Sequence, residues 1–363
     1  MPNAPENPRI LIARLGAMGD ILHAMPMAAL LRQALPAAHI GWVVERRWSE
    51  LLCAPETNPV GECSAARPLV NVVHVVDTRG WRKHLLAPAT RREFTASIAA
   101  LRDSRYDAVL DAQGAAKSAV VARLSGGAKI FGFQNPREWP ARLVYDVAIE
   151  PHTTHVIARN MELAEALLAR LGHAAAEPIL HPSPEWLPRD AAAERRVEAA
   201  LLSLGVAEEP LAVLNPGAGW GAKQWPAQRY GELAERLKAR GLRVLLNYGP
   251  GEEALVRRAA QASHGAALPL STSLGELVAL LRRAHLFVGG DTGPLHLAAL
   301  LGAPTVALFG PTDPERNGPY WPGCRTLRDT ASETSYSHRR TEDAGLRNLT
   351  TAQVFEAVES LLA

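Results

Sequence analysis

The sequence predicts two α/β domains, each built on a parallel sheet with helices on both faces. Its 363 residues exceed the usual size of one domain core. Short apolar runs without polar alternation, such as Arg9–Arg14 and Ile40–Val44, indicate strands that are buried on both faces. Stretches with helical spacing separate these runs, and this alternation of strand and helix is typical of doubly wound parallel sheets.

The predicted strands fall into two groups on either side of a proline-rich segment. In the first half they are Arg9–Arg14, Ile40–Val44, Val72–Val76, Ala108–Leu110 and Ile130–Phe133. In the second half they are Leu211–Asn215, Leu242–Asn247, His285–Gly289 and Thr305–Phe309. Residues Glu177–Arg189 contain four prolines, which disfavour regular structure and indicate a linker. We expect a first domain over residues 1–178, a linker and helix over 179–208, and a second domain over 209–363. The sequence leaves open whether the last helix packs back on the first domain.

Composition restricts the classes of function. There are 39 Lys and Arg residues against 37 Asp and Glu residues, a formal net charge of +2. The net charge of the chain is therefore too small to attract nucleic acid electrostatically. The three cysteines, Cys53, Cys63 and Cys324, form no disulfide pattern or zinc motif and fit a reducing compartment. The polar N-terminus does not resemble a signal peptide, and no apolar run approaches the roughly 18 residues that span a bilayer. We expect a cytosolic protein that can touch a membrane surface.

The first candidate site is the segment Arg14–His23, directly after the first strand. Gly16 and Gly19 permit a tight turn, and Asp20 stands where a helix begins, where a carboxylate can accept hydrogen bonds from free N–H groups. Local sequence alone leaves a plain helix cap as an equal alternative. The two glycines are three residues apart, whereas the first two glycines of the dinucleotide fingerprint are two apart, so a Rossmann dehydrogenase is disfavoured.

The second candidate site follows a strand of the second half. Asp291, Thr292 and Gly293 precede the start of a helix, so the free N–H groups of this turn would face a ligand and suit a diphosphate. His296 lies one turn into that helix and can face the same ligand. The alternative is an Asp/Thr helix cap with a buried histidine.

Two further segments carry positive charge. Asn215–Pro226 follows the first strand of the second domain, and its Lys223 can reach a phosphate, although a loop lysine is usually only solvated. Arg79–Arg92 contains five Lys and Arg residues and no acidic one, a pattern that most often forms a solvated helix face. Because the rest of the chain is nearly balanced in charge, the run also suits phosphates or carboxylates of a large acceptor.

No metal site is expected. Asp313 and Glu315 close a glycine-rich turn at Gly310–Asp313, and we interpret them as turn and cap residues. Lys117, at the end of the segment Asp111–Lys117 after another strand, is a weaker candidate for anion binding.

Together these segments resemble glycosyltransferase family 9, and within it the heptosyltransferase I subfamily. The most specific stretch is Gly289–Tyr320 (GGDTGPLHLAALLGAPTVALFGPTDPERNGPY), which is close to the C-terminal signature of the family, and RLGAMGDILHAMP from Arg14 matches the N-terminal loop. Three segments indicate the subfamily: RGWRKHLL from Arg79, YDAVLDAQGAAKSA from Tyr106, and AKQWP ending at Pro226. The resemblance covers nearly the whole chain and weakens at residues 62–68 and 330–345.

By this resemblance, the fold is GT-B, two Rossmann-like domains with a ligand cleft between them. The reaction it implies is inverting transfer of L-glycero-D-manno-heptose from ADP-heptose to Kdo of Kdo2-lipid A, with no required cofactor or metal. Asp20 would be the general base, and Lys223 would hold the diphosphate during catalysis. The resemblance also implies donor-binding residues, Gly16, Gly19, Glu252, Asp291, Thr292, Gly293 and His296, and acceptor-binding residues, Arg79, Arg82, Lys83, Lys117, Arg137 and His155. We also expect a monomer that works at the inner face of the cytoplasmic membrane.

Three alternatives stay open. Another transferase of the same family would act as a heptosyltransferase II or use a different nucleotide sugar, and competition by ADP but not UDP would favour a heptose donor. A non-catalytic nucleotide-sugar-binding or lipid A-binding protein needs no base, so Asp20 and Lys223 count against it. An NAD-dependent oxidoreductase is disfavoured by the glycine spacing described above.

Overall fold

The chain separates into two compact units, each with its own parallel sheet. The computed structural model describes residues 7–84, 86–174, 176–335 and 343–363. Unit 1 comprises Met1–Ile179 and Glu185–Arg189, and unit 2 comprises Leu180–Pro184 and Asp190–Ala363. Residues 336–342, within the stretch where the family resemblance weakens, lie outside the described residues.

Unit 1 alternates strands and helices along the chain. Its strands are β1 (Arg9–Ala13), β2 (His39–Glu45), β3 (Val72–Val76), β4 (Ala108–Asp111), β5 (Lys129–Phe133) and β6 (Val147–Ile149). Its helices are α1 (Met18–Leu22), α2 (Met25–Ala34), α3 (Thr78–Lys83), α4 (Pro88–Asp103), α5 (Ala116–Leu124) and α6 (Val156–Arg170). Short 3-10 segments lie at Arg46–Leu51, Trp139–Val144 and Pro184–Trp186.

Unit 2 follows the same plan. Its strands are β7 (Leu211–Asn215), β8 (Arg243–Tyr248), β9 (Ala267–Ser271), β10 (Ala284–Gly290), β11 (Thr305–Phe309) and β12 (Cys324–Arg328). Its helices are α7 (Ala191–Ser203), α8 (Ala227–Ala239), α9 (Glu253–Ala262), α10 (Leu274–Leu281), α11 (Gly293–Leu300), α12 (Pro314–Asn317), α13 (Ala344–Asn348) and α14 (Thr351–Leu362). A 3-10 segment lies at Gly221–Lys223.

The two sheets have the same strand order. It is β3-β2-β1-β4-β5-β6 in unit 1 and, read from the corresponding edge, β9-β8-β7-β10-β11-β12 in unit 2. Neighbouring strands are parallel in both sheets. The predicted pair of Rossmann-like doubly wound sheets is therefore confirmed. In such sheets the chain direction of the crossovers reverses at the centre, here between β1 and β4 and between β7 and β10, and a crevice opens there at the carboxyl ends of the strands.

The central strands lie in the hydrophobic cores. Ile10, Leu11 and Ile12 of β1 are fully buried, as are Val213 and Leu214 of β7, because helices cover both faces of each sheet. The strands that sequence analysis missed, β6, β9 and β12, are each at a sheet edge and are partly exposed. Their residues lack the continuous apolar run by which the central strands were identified.

The last helix packs within unit 2, where α14 lies against α8 and β11. Val354 and Val358 of α14 are fully buried in the same cluster as Leu237 and Val306. Among the described residues, none of the helices combines the length and apolar character needed to cross a bilayer.

A buried histidine pairs with a buried tyrosine at the edge of the unit 1 sheet. The Nε2 atom of His74, on β3, lies 2.7 Å from the hydroxyl oxygen of Tyr106. Burial lowers the pKa of His74 to about 4, and the nearby His39 acts in the same direction. Burial also raises the pKa of Tyr106 to about 12. The pair is therefore neutral in the folded protein across the physiological range.

This pair predicts an acid-sensitive term in the stability of unit 1. The pKa of a histidine in the unfolded chain is about 6.5, so between that pH and about 4 the unfolded chain binds a proton that folded His74 does not. The stabilising contribution is complete above the unfolded pKa and is lost as the pH falls towards the folded pKa, by roughly 3 kcal/mol in total. We expect the free energy of unfolding of the wild type to fall over this interval more steeply than that of His74→Gln, whose amide can still bond to Tyr106. His173→Gln, at an exposed position, is the control and should follow the wild type; parallel pH profiles for all three proteins would contradict the assignment.

Candidate active site

The loop after β1 holds Asp20 in a fixed orientation. One carboxylate oxygen of Asp20 lies 2.7 Å from a guanidinium nitrogen of Arg14, and the other accepts a hydrogen bond of 2.9 Å from the N–H of Ala17. Arg14 is buried, while the side chain of Asp20 is 35% exposed. Asp20 is thus more than a helix cap, because a buried cation fixes one of its oxygens while the carboxylate stays accessible to a ligand.

The two glycines of this loop have different roles. A Cβ placed on Gly16 would lie 2.9 Å from Nε1 of Trp48, so only glycine allows the indole to approach the loop this closely. Gly19 lies inside α1 rather than in the turn. The expectation of a tight turn is therefore wrong for Gly19, since α1 begins one residue before it, whereas at Gly16 the structure shows the close approach of Trp48.

The loop after β1 is joined to the loop after β4. The guanidinium of Arg14 donates to the carbonyl of Ala112, and the N–H of Leu15 donates to Oε1 of Gln113 over 2.8 Å. Both contacts join segments that are 98 residues apart in sequence. They form because β1 and β4 are parallel neighbours at the centre of the sheet, so the two loops begin side by side at the carboxyl ends of these strands.

Asp111 anchors the loop that leads to Lys117. Its fully buried carboxylate accepts hydrogen bonds from the N–H groups of Gln113 and Gly114 and from the hydroxyls of Ser118 and Tyr145, at 2.8 to 3.1 Å. Burial raises the pKa of Asp111, and these four hydrogen bonds oppose that rise. This carboxylate is fully occupied by these four donors, so its role is to position rather than to react.

The structure brings some of the predicted acceptor residues together around Glu45. The buried carboxylate of Glu45, at the end of β2, lies 3.6 Å from Nζ of Lys117 and accepts a hydrogen bond from the hydroxyl of Thr78, which begins α3 and precedes Arg79. The basic run that begins at Arg79 therefore starts beside Lys117. The two segments are far apart in sequence, so the sequence did not predict this proximity.

Sequence analysis missed Arg47, which belongs to the same cluster. Its guanidinium lies 4.6 Å from the ring centroid of Trp48, the residue that contacts Gly16. Burial lowers the pKa of Arg47, the charge of nearby Arg79 lowers it further, and Glu45 acts in the opposite direction. Arg47 thus lies near the basic run and beside Trp48, and its side chain stays exposed although its guanidinium is partly shielded from water. No sequence signal distinguished it, because it adjoins Arg46, whose guanidinium instead pairs with Glu93 at 2.7 Å.

The remaining acceptor candidates lie outside this cluster. Arg82 and Lys83 are exposed in the last turn of α3. Arg137 is exposed next to Glu138, whose N–H donates to the carbonyl of Gly114 in the loop after β4. His155 is the N-cap of α6, where its Nδ1 accepts from the N–H of Ile157, and its ring packs edge-on against His23, with 6.4 Å between the ring centroids.

In unit 2, Lys223 and Asp291 form an ion pair at the switch point. Nζ of Lys223 lies 2.5 Å from one carboxylate oxygen of Asp291 and donates to the Asp291 carbonyl at 3.1 Å. The other carboxylate oxygen lies 3.0 Å from Nε2 of His296. Burial would raise the pKa of Asp291, but the hydrogen bond from His296 and the charge of Lys223 outweigh it and hold the pKa of that carboxyl well below its usual range. A fixed anion therefore orients both the lysine and the histidine.

The turn before α11 is not an ordinary Asp/Thr cap. Thr292 is the N-cap residue, but its hydroxyl donates to the carbonyl of Gly290 at 3.2 Å and makes no capping bond to the helix. Asp291 is occupied by Lys223 and His296. The first N–H groups of a helix have no intrahelical acceptor, so those at Thr292 and Gly293 are suited to bind the oxygens of an anion.

Glu252 lies against the loop that carries Lys223. It is the N-cap of α9, and its Oε2 accepts a hydrogen bond of 2.9 Å from the N–H of Gly249. A Cβ on Gly217 would lie only 2.0 Å from Oε1 of Glu252, so the glycine makes room for this carboxylate. Burial raises the pKa of Glu252, partly opposed by the hydrogen bond from Gly249.

A chain of buried amides positions the same loop, and sequence analysis did not find it. The hydroxyl of Thr272 donates to Oδ1 of Asn247 at 2.6 Å, Nδ2 of Asn247 donates to Oδ1 of Asn215 at 2.9 Å, and Nδ2 of Asn215 donates to the carbonyl of Gly217 at 3.1 Å. Thr272 follows β9, Asn247 is the last but one residue of β8 and Asn215 ends β7, and these strands are adjacent in the sheet. The sequence feature that could have indicated this chain is the polar residue at or next to the end of each strand.

The second glycine-rich turn, Gly310–Asp313, is held by a cation from the edge strand. Nε of Arg328, on β12, donates to the carbonyl of Gly310 at 3.1 Å. Asp313 caps α12 by accepting from the N–H of Glu315 at 3.0 Å, as the interpretation of these residues as turn and cap predicts. Among the described residues, no group of three or more His, Cys, Asp or Glu side chains is placed to hold a metal ion.

Comparison with known proteins identifies the family of the chain. The model of glycosyltransferase family 9 (heptosyltransferase) matches residues 94–345. Lipopolysaccharide heptosyltransferase 1 of Pseudomonas aeruginosa is 31% identical over 325 residues, which cover 86% of this chain and 81% of that protein. The protein of the same name from Escherichia coli K12 is 31% identical over 327 residues, covering 88% and 94%.

Solved structures show the same likeness. The structure of E. coli heptosyltransferase WaaC with ADP superposes with a TM-score of 0.77 at 28% identity, covering 97% of this chain and 99% of that one. E. coli ADP-heptose lps heptosyltransferase II, at 22% identity, has a TM-score of 0.74, covers 98% of each chain and supports the fold. The chain therefore belongs to glycosyltransferase family 9, the heptosyltransferase family.

Proposed function

We propose that this protein is an inverting heptosyltransferase that moves L-glycero-D-manno-heptose from ADP-heptose to Kdo of Kdo2-lipid A. The observation that carries the proposal is the ion pair of Lys223 and Asp291 beside the free N–H groups at Thr292 and Gly293. A cation and a helix N-terminus at one point suit a diphosphate. The names of the relatives support the sugar and the pathway, since they are lipopolysaccharide heptosyltransferases, and WaaC has been solved with ADP and with ADP-2-deoxy-2-fluoro heptose.

The donor half of the reaction falls to unit 2. Negative charge grows on the leaving ADP as the bond to the anomeric carbon breaks. Lys223 and the N–H groups at Thr292 and Gly293 would offset that charge, and Asp291 with His296 would keep Lys223 in place. Glu252, half-buried against the same loop, would accept hydrogen bonds from the hydroxyls of the nucleoside sugar. In this proposal the protein supplies the stabilising charge itself, with no required metal or cofactor.

The acceptor half falls to unit 1. Asp20 would take the proton of the Kdo hydroxyl as that oxygen attacks the anomeric carbon from the side opposite to the diphosphate, which inverts the configuration. The contact with Arg14 would hold the carboxylate in the geometry that the attack requires. Arg79, Lys117 and Arg47, gathered around Glu45, would bind the carboxylate and phosphate groups of the acceptor, with Arg82, Lys83, Arg137 and His155 as further candidates.

We also propose a monomer that works in the cytoplasm at the inner face of the membrane. The acceptor is a lipid, so the enzyme must meet it at a bilayer surface. Peripheral contact is sufficient for this encounter, because only the Kdo hydroxyl has to reach Asp20.

Replacing Asp20 tests the catalytic assignment. Asp20→Asn keeps the size and a hydrogen-bonding oxygen but cannot accept the proton, so we expect transfer to fall by about 10²- to 10⁴-fold, while the affinity for ADP changes less than about twofold. The measurement is the mass gain of one heptose on Kdo2-lipid A, alongside calorimetric titration with ADP. Near-normal turnover by the variant would remove Asp20 as the base, and failure of the wild type to modify this acceptor while binding ADP would send the search to other acceptors.

A pair of glycine substitutions tests the donor site. In Gly217→Ala the new methyl group collides with Glu252, whereas a Cβ on Gly219 meets nothing within 4 Å. The methyl group would displace the carboxylate of Glu252 and so remove its hydrogen bond to the nucleoside sugar, and the Kd for ADP of Gly217→Ala should rise by roughly tenfold, with that of Gly219→Ala unchanged. UDP should not compete with ADP in the same titration. Equal affinities of the two variants would mean that Glu252 and its loop do not form the nucleotide site.

Arg47 and Arg46 form a matched pair for the acceptor site. Arg47→Ala removes the cation beside Arg79 and Glu45, while Arg46→Ala removes a neighbouring cation that is paired with Glu93. We expect KM for Kdo2-lipid A to rise by roughly fivefold in Arg47→Ala, the size of one charge-assisted contact near the surface, with KM for ADP-heptose unchanged. Arg46→Ala should resemble the wild type, and a similar KM for both variants would contradict the placement of the acceptor at Arg47.

A further inference from the structure

One face of unit 1 carries a large excess of basic residues. It is formed by α3, α4, α5 and the 3-10 segment Trp139–Val144; α4 packs against both α3 and α5, and α5 packs against the 3-10 segment. Three Lys or Arg residues lie on α3, three on α4, two on α5 and one on the 3-10 segment, whereas the acidic residues of these elements are Glu93 and Asp103. In a chain whose net charge is only +2, positive charge is thus strongly concentrated on this basic face.

The basic face also exposes large apolar side chains. Trp139 is 68% exposed, Leu143 72%, Val120 54% and Phe94 39%, and Leu86, between α3 and α4, is 82% exposed. Of the nine large hydrophobic side chains that are exposed among the described residues, these five lie on this one face. Single exposed apolar residues are ordinary, but a group of them on adjacent elements indicates an interaction surface.

The backbone beneath these side chains is anchored. Ala141, between Trp139 and Leu143, is fully buried in the core of unit 1, together with nearby Tyr145. The carboxylate of Glu138 accepts a hydrogen bond of 2.9 Å from the N–H of Ala116 and so ties the 3-10 segment to the start of α5. Trp139 and Leu143 are therefore presented outwards by a fixed support.

We propose that this basic face docks unit 1 onto an anionic phospholipid bilayer, with Trp139 and Leu143 entering the headgroup region. Tryptophan favours the interface of a bilayer because its ring is apolar and its N–H can still meet water. Lysine and arginine side chains beside it are attracted to the negative surface of the cytoplasmic leaflet. The proposal rests on the proposed function in one respect, that a lipid-borne acceptor gives the enzyme a reason to be at a membrane.

Charge argues against a second copy of the chain as the occupant. In a two-fold symmetric dimer the same face of each copy meets the other. The elements of each face carry nine basic and two acidic residues, with Glu138 as a third acidic residue beside them, so two such faces would repel one another. An anionic bilayer satisfies the basic and the apolar residues at the same time.

The test is co-sedimentation of the full chain with vesicles of phosphatidylglycerol and phosphatidylethanolamine that contain no Kdo2-lipid A. We expect the wild type to bind and the double variant Trp139→Gln/Leu143→Gln to partition about tenfold more weakly, because binding scales with the apolar area that enters the interface. The matched control is Leu180→Gln/Leu202→Gln, which changes two leucines of unit 2 that are 66% and 61% exposed and should bind as the wild type does. Phosphatidylcholine vesicles or high salt should weaken the binding of the wild type.

Several outcomes would overturn the proposal. They are equal partitioning of the two double variants, no binding of the wild type to these vesicles, and binding that appears only when Kdo2-lipid A is added, which would place the acceptor rather than the bilayer on this face. A wild-type dimer in sedimentation velocity that Trp139→Gln/Leu143→Gln converts to a monomer would identify the face as a self-interface. Transfer to a water-soluble, lipid-free Kdo acceptor should be the same in the wild type and in Trp139→Gln/Leu143→Gln. That assay tests the proposed function separately, because it involves no membrane.

Discussion

The parallel order of the strands is the constraint on which both candidate sites depend. Because every strand of a sheet points the same way, all the loops that follow strands leave the sheet on the side of the carboxyl ends. The reversal of the crossovers at the centre of the sheet leaves space on that side. In unit 1 this space adjoins the loops that lead into α1, which carries Asp20, and into α5, which carries Lys117; in unit 2 it adjoins the loops that carry Lys223 and Asp291. The fold thereby sets where ligands can bind, and the loop sequences decide which chemistry occurs.

Each site uses a charged pair whose main effect is to fix geometry. A buried ion pair is weak evidence for stability, because removal of both charges from water costs about as much as their attraction returns. Arg14 with Asp20, and Lys223 with Asp291, are therefore better explained by the positions that they impose. In each pair the more buried partner (Arg14 at 7% and Asp291 at 7% side-chain exposure) orients the more accessible one. The accessible partner is also the one that the proposed mechanism uses.

The sequence predicted the features that depend on neighbours along the chain. The central strands were recognisable because burial on both faces requires an unbroken apolar run, and the site loops because glycine and charged residues follow those runs directly. The edge strands β6, β9 and β12 were missed, because an edge strand needs no such run.

The partners of the site residues were missed for a different reason. Gln113 meets Leu15, and Asn247 meets Asn215, only because the sheet brings together segments that are far apart in sequence. Arg47 could not be distinguished from Arg46 in the sequence. Only the structure shows that Arg47 lies near Glu45 and Arg79, whereas Arg46 pairs with Glu93.

The distribution of positive charge matches two kinds of anionic partner. Lys223 in unit 2 is only 12% exposed at its side chain and is paired with Asp291, so its charge acts over a short range and suits a small ligand that enters the site. The basic residues of α3, α4 and α5 are mostly exposed, and at physiological salt an exposed charge acts over about 8 Å. A set of such charges attracts an extended anionic surface but gives little geometric discrimination. In the proposed function, selectivity for the acceptor would then come from cations with fixed surroundings, such as Lys117 beside Glu45 and Arg47 over Trp48. Trp48 also lies against Gly16, in the loop that leads into α1. If Asp20 of α1 is the base, as proposed, recognition of the acceptor at Arg47 and activation of its hydroxyl would be coupled through one indole ring.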